Sequence, residues 1–187
     1  MSILDGMPQS DADMKFIVAS ASTIVETVLG LSAKTPRAQS ILAAMREGLS
    51  LADILKIPKE ERDALLAQGI RQMQVGDVAG AQATLTTLYY LEPLDARAIY
   101  ALATTYQAQG NYGTAGKLYV SFLALDATNA DGYLRLAECF MASRETEQAR
   151  ACFEVGKGEA LSAGQADRVV HADRMLALLG GPTEHAA

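Results

Sequence analysis

The chain has 187 residues, with 16 Lys plus Arg against 22 Asp plus Glu and a net charge of −6. That acidic balance excludes the positive, phosphate-tracking surface of a nucleic-acid binder, and two cysteines are too few for a disulfide framework. Half of the residues are apolar, yet only 6% are aromatic and none is Trp. Ala- and Leu-rich helix packing is therefore expected rather than a β-sandwich.

Residues 1–33 form an N-terminal segment expected to be partly helical or disordered. Within it, "MKFIVASASTIVETVLGLSA" from Met14 to Ala33 has the order of a signal peptide: a lysine, an apolar run, then small residues. Glu26 interrupts that run, and Asp5, Asp11 and Asp13 make the preceding stretch acidic. Ile17, Ile24, Val28 and Leu31 share one stripe at helical spacing, so an amphipathic helix is the expectation. No run is long and apolar enough for stable membrane insertion. Residues 34–61 continue as a helical region. Its segment from Ala38 to Leu49 carries Ile41, Leu42, Met45 and Leu49 at helical spacing, a stripe expected to serve self-association.

From Arg62 to Ala163 the sequence repeats with a period of 34 residues. Small residues recur at Gly69, Ala103 and Ala137, and again at Ala81, Ala115 and Ala149. Large ones keep the same phase at Leu65, Ile99 and Tyr133, and at Leu85, Tyr119 and Phe153; Gln72, Tyr106 and Phe140 are in register too. Two helices crossing closely need small residues at the crossing and bulky ones beside it. Turn signals separate the two helices of each unit: "VGD" at Val75–Asp77, "QGN" at Gln109–Asn111 and "SRE" at Ser143–Glu145. Gly76 and Gly110 suit a helix C-cap, and Asp77 or Asn111 can start the next helix. Pro93 in "EPLD" closes the first unit. This is the tetratricopeptide pattern. The expected fold is all-α: three tetratricopeptide repeats over 62–163 in a short right-handed solenoid, a capping helix over 164–181 and a disordered tail over 182–187. In the capping segment, Val169, Leu176 and Leu179 are expected inward and His171 on the solvent side.

Chemistry finds no foothold in this pattern. Phosphate-binding, dinucleotide-binding and metalloprotease motifs are missing, and His171 and His185 are the only histidines. Cys139 and Cys152 stand 13 residues apart with no His between them, and each occupies a packed helix slot. No catalytic residue, metal site or cofactor is expected.

The flanks add a resemblance. "EGLSLADILKIPKEERDALLAQGIRQMQVGD", "LDARAIYALATTYQAQGNYGTA" and "YLRLAECF" are similar to the translocator (class II) chaperones of bacterial type III secretion, in which a G-x-[ST]-L-x-x-[IL]-x-x-[IL] turn precedes three repeats. Gly48, Ser50, Leu51, Ile54 and Ile57 stand at those places, and the likeness runs from Ile41 to Ala160. It implies a cytoplasmic protein that keeps hydrophobic translocators soluble before export. It also implies homodimerisation through the N-terminal helices, and a concave groove that takes an extended client segment. The family's tyrosine-rich groove positions on the first repeat are here Leu66, Ile70 and Met73.

Residue by residue, the groove stripe of the three first helices comprises Leu66, Ile70 and Met73 with Asp63, then Tyr100, Thr104 and Gln107 with Arg97, then Leu134, Glu138 and Met141 with Asp131. An apolar stripe with a few polar edges suits an extended peptide rather than an acidic peptide terminus, which would need Lys and Arg. Methionines add adaptable surface. The alternative is that the stripe packs against the terminal helices and the array is a generic scaffold or adaptor, even one associated with the envelope if the segment at Met14 is cleaved.

Overall fold

The computed structural model describes Ser2, Ile3 and residues 35–180. The Met14–Ala33 stripe, His185 and the expected tail lie outside the described residues. Among the described residues every regular element is a helix, and none is long and apolar enough to cross a membrane. The chain forms two compact units, Gly6–Ala98 and Ile99–Ala187 with Met1–Asp5.

In the first unit, α1 (Pro36–Arg46) starts on Thr35, whose hydroxyl accepts the Ala38 N–H at 3.3 Å, with Pro36 preset for the first turn. The chain then turns through Gly48 at φ +95° into α2 (Leu51–Ile54). Ser50 and Asp53 form a reciprocal capping box there, each side chain accepting the other's N–H at 3.1 Å. The G-x-[ST]-L turn thus has a physical reading: Gly48 takes a left-handed backbone, Ser50 caps, and Leu51 is fully buried.

Helices α3 (Lys59–Gln74) and α4 (Val78–Leu91) make the first repeat, with α3 beginning at Lys59 rather than Arg62. They cross where the sequence is smallest: a Cβ at Gly69 would lie 2.5 Å from Leu85 Cγ. Gln72, the polar residue in an otherwise apolar register, accepts a hydrogen bond from Thr84 at 2.8 Å. Ala38, Ile41 and Leu51 form a core against which Leu42, Met45, Ile54, Tyr90 and Leu91 pack. Three of the four residues expected to mediate self-association are therefore occupied within the chain, and Leu49 alone of them is exposed.

The second unit takes most of α5 (Ala96–Ala108), then α6 (Tyr112–Leu125), α7 (Ala130–Ala142), α8 (Thr146–Ser162) and α9 (Ala166–Leu178). Ala103, Ala115, Ala137, Ala149, Tyr119 and Phe153 have no exposed surface, the small-and-large phasing read from the sequence. Each fully buried large side chain contributes on the order of 1.5–3 kcal/mol. The turns after α3, α5 and α7 share one hydrogen-bond pattern. In each, a residue at positive φ (Gly76, Gly110, Arg144) donates three residues back, and its successor donates five back to Gln72, Tyr106 or Phe140. That is the Schellman closure, for which glycine is the strain-free choice and Arg144 is not.

Candidate functional site

The repeat helices of the second unit bring Tyr100, Thr104 and Gln107 on α5 beside Glu138 on α7. The polar members are already joined. Tyr119, buried on α6, donates to Gln107 Oε1 at 2.7 Å and shares a 3.2 Å hydrogen bond with Thr104. The Gln107 amide donates to Glu138 Oε2 at 2.8 Å, and Arg135 donates to the same oxygen at 3.1 Å. His171 Nε2 sits 3.1 Å from Glu138 Oε1. Burial pushes the Tyr119 phenol well above its ordinary range, so this hydroxyl stays a donor at any working pH. The polar edges expected to meet a peptide backbone are thus pre-organised by one another.

The apolar part of the face is built around Tyr100. Its ring lies edge-on to Tyr119 at 5.6 Å and to Phe122 at 5.1 Å, so α6 holds it from behind. Tyr100 and Met141 are each half-buried. Leu134 is different: only 3% exposed, it packs against α8, where a Cβ on Gly156 would lie 3.0 Å from its Cδ2. Gly156 is what allows α7 and α8 to approach so closely.

On the first unit, α3 carries the other expected members. Leu66 is 8% exposed and belongs to the interior, Met73 is half-buried, and Ile70 is 42% exposed. Another face of α3 contributes to an open hollow of 290 Å³, lined by Ile57, Ala64, Leu65 and Leu91 with Glu61 and Gln68.

The charged residues of the expected stripe bind their neighbours. Asp63 accepts from Lys59 at 2.5 Å and from Arg97 at 3.0 Å, and these two cations hold its carboxyl below the usual range. Arg168 reaches Asp131 with two bonds, at 2.8 and 2.6 Å. The Arg97–Asp63 and Arg168–Asp131 pairs each join residues more than 30 positions apart, which ties successive repeat helices within its own unit. His171, expected on the solvent side, has a side chain 42% exposed and also sets its ring 6.4 Å from Phe153 and its nitrogen on Glu138. Its flanking charges masked that role; a spacing of 33 from Glu138, close to the repeat length, was the signal available.

The cysteines take no part in this face. Burial raises the Cys139 thiol to about 12 and the Cys152 thiol to about 11. Both therefore stay protonated and unreactive near neutrality. Among the described residues, no three metal-ligating side chains come together.

The tetratricopeptide repeat family matches residues 106–166. No curated protein matches the chain. Among solved structures, a type III secretion complex from Aeromonas hydrophila aligns with a TM-score of 0.73 at 22% identity, covering 79% of this chain and 99% of the other. SycD, the type III secretion translocator chaperone of Yersinia enterocolitica, aligns at 0.64 with 20% identity over 69% of this chain and 97% of its own. The fold is shared with a translocator chaperone. PcrH, of Pseudomonas aeruginosa, in complex with the chaperone binding region of PopD, aligns at 0.64 with 23% identity, covering 66% of this chain and 93% of the other. The all-helical repeat fold expected from the 34-residue period is confirmed by these likenesses.

Proposed function

We propose that this chain is a chaperone for hydrophobic translocator proteins of a type III secretion system, holding an extended client segment against the α5–α7 face before export. One observation carries the reading. The α5–α7 face, a backed aromatic ring beside a pre-bonded polar row, sits on a fold whose solved relatives include PcrH with segments of PopD and PopB, and SycD with a peptide of YopD. An extended peptide places alternate side chains toward such a face, where Tyr100 and Met141 supply apolar contact and Met141 adapts to shape.

The chain acts in the cytoplasm, without cofactor or catalysis, by mass action. A bound client is removed from the pool that would aggregate or insert into a membrane. Self-association through the α1–α2 region would use Leu49, 47% exposed, beside the half-buried Leu42 and Met45, while Ile41 packs inside its unit.

The test is co-expression with type III translocators, followed by pull-down and intact mass. The expected result is a soluble stoichiometric complex that Tyr100→Glu abolishes while helical content is kept. Leu66→Glu is a poor probe, since burying a charge there would disturb folding first. Translocators that stay insoluble beside a well-folded bait would overturn the chaperone reading and leave a repeat scaffold.

A further inference from the structure

Three slots of the 34-residue period change character around one spot. Where Gly76 and Gly110 close the earlier turns, the third has Arg144 at φ +64°. Where Asp77 and Asn111 cap their helices, accepting the N–H of Gly80 at 2.9 Å and of Thr114 at 3.2 Å, the third has Glu145, which makes no such cap on α8. Where Gln82 and Arg150 stand on the first and third repeats, the second has Gly116, inside α6.

The Glu145 carboxylate faces another segment instead. Oε2 accepts the Ser2 hydroxyl at 2.5 Å, and Oε1 accepts the Ile3 N–H at 2.8 Å. Ile3 is 4% exposed. Its side chain fills the space that the missing Cβ of Gly116 leaves: a Cβ there would lie 2.5 Å from Ile3 Cγ2 and 3.6 Å from Leu136 Cδ1. A glycine within a helix is unfavourable, and the one at Gly116 lies at the notch that Ile3 fills.

We infer that the notch formed by Gly116 on α6, Leu136 on α7 and Glu145 in the α7–α8 turn is a peptide-docking site, occupied by the chain's own Ser2–Ile3 segment. It takes a short stretch bearing an aliphatic, β-branched side chain. The carboxylate reads the main-chain N–H and a preceding hydroxyl, and the glycine gap reads the side chain. None of its residues belongs to the α5–α7 face, so the site is separate from the one proposed for a client. The docked segment straps α6 to the turn that starts α8, across α7.

The test follows Ile3 by nuclear magnetic resonance in the full chain. Amide exchange at Ile3 should be slowed, and its methyls should show contacts to those of Leu136. Ile3→Asp should remove both signatures while the helical content stays. Glu145→Asn, which restores the residue type that caps the second repeat, should free the Ile3 amide as well. Gly116→Ala separates the strap from ordinary packing. With Ile3 replaced by Asp, the better helix former should raise Tm; with Ile3 present that gain should vanish, because the new methyl expels it. An Ile3 amide that exchanges at an unstructured rate in the native chain would overturn the inference. So would an equal Tm gain in both backgrounds. Methyl contacts found only between differently labelled copies would also overturn it, since the occupant would then be a second molecule.

Discussion

The first repeat and the second and third repeats obey the same packing rule and present different surfaces. Inward, Gly69 lets α3 approach Leu85 as Gly156 lets α7 and α8 close together, and Leu85, Tyr119 and Phe153 all have no exposed surface. Outward, α3 offers Ile70 at 42% exposure, whereas α5 and α7 carry an aromatic ring braced by two others and a bonded row from Tyr119 through Gln107 to Glu138 and His171. Positions where helices cross are fixed by sterics and must recur with the period. Positions on the open face answer only to what touches them, so they are free to specialise.

The strongest way to break this comparison is to damage the shared rule. Leu85→Ala and Phe153→Ala should each destabilise its own unit by about 2–5 kcal/mol in urea denaturation, since both leave a cavity in a fully buried position. Tolerance of either would mean that the period does not mark the core.

The next tests sharpen the difference between the open faces. Gln107→Ala should cost about 1–3 kcal/mol, because it leaves the buried Tyr119 hydroxyl and the Glu138 carboxylate with fewer partners. Ile70→Ala on α3 should stay within about 0.5 kcal/mol, as an exposed residue with no such network. Equal costs would erase the distinction.

Smaller still is the acid response of the first unit. The carboxyl of Asp63 is depressed by Lys59 and then by Arg97. Its contribution is present above the ordinary Asp range and is lost as pH falls through the lower folded value. Asp63→Asn should therefore flatten the acid limb of a Tm-against-pH curve slightly and leave neutral pH almost unchanged, the pair being exposed. The least effect on stability comes with the thiols. Cys139 and Cys152 should resist alkylation at pH 8 in the folded chain and react at once in denaturant, as thiols that burial has raised to about 12 and about 11.

Much of the fold was legible because crossings leave a mark on composition. Alternating small and large residues at fixed spacing can hardly mean anything but helices packed in repeats. The turns were legible for the same reason at Gly76 and Gly110, and the flanking turn at Gly48 and Ser50 through its capping chemistry.

The face was harder to read. A spacing of three and four selects a stripe but cannot separate two adjacent stripes of one helix. Leu66 and Leu134 therefore share a stripe with Ile70 and Met141, although they are buried. An apolar stripe also carries no sign of which surface it meets. Ile41, Leu42 and Met45 read equally well as an oligomer contact and as packing within the chain, and Leu42 and Met45 lie partly buried against the core that Ile41 forms with Ala38 and Leu51. Pairings such as Glu138 with His171 depend on side-chain reach across the tertiary structure, which no local pattern records.

The most direct test of the central claim uses methionine methyl resonances in the full chain, titrated with an extended translocator segment. Met141 lies on the proposed face, while Met175 on α9 and Met45 on α1 lie off it. Met141 should shift and saturate at one equivalent, with Met45 and Met175 unmoved, and the response should vanish in Tyr100→Glu. Saturable binding that leaves Met141 in place, or that survives Tyr100→Glu, would contradict the claim.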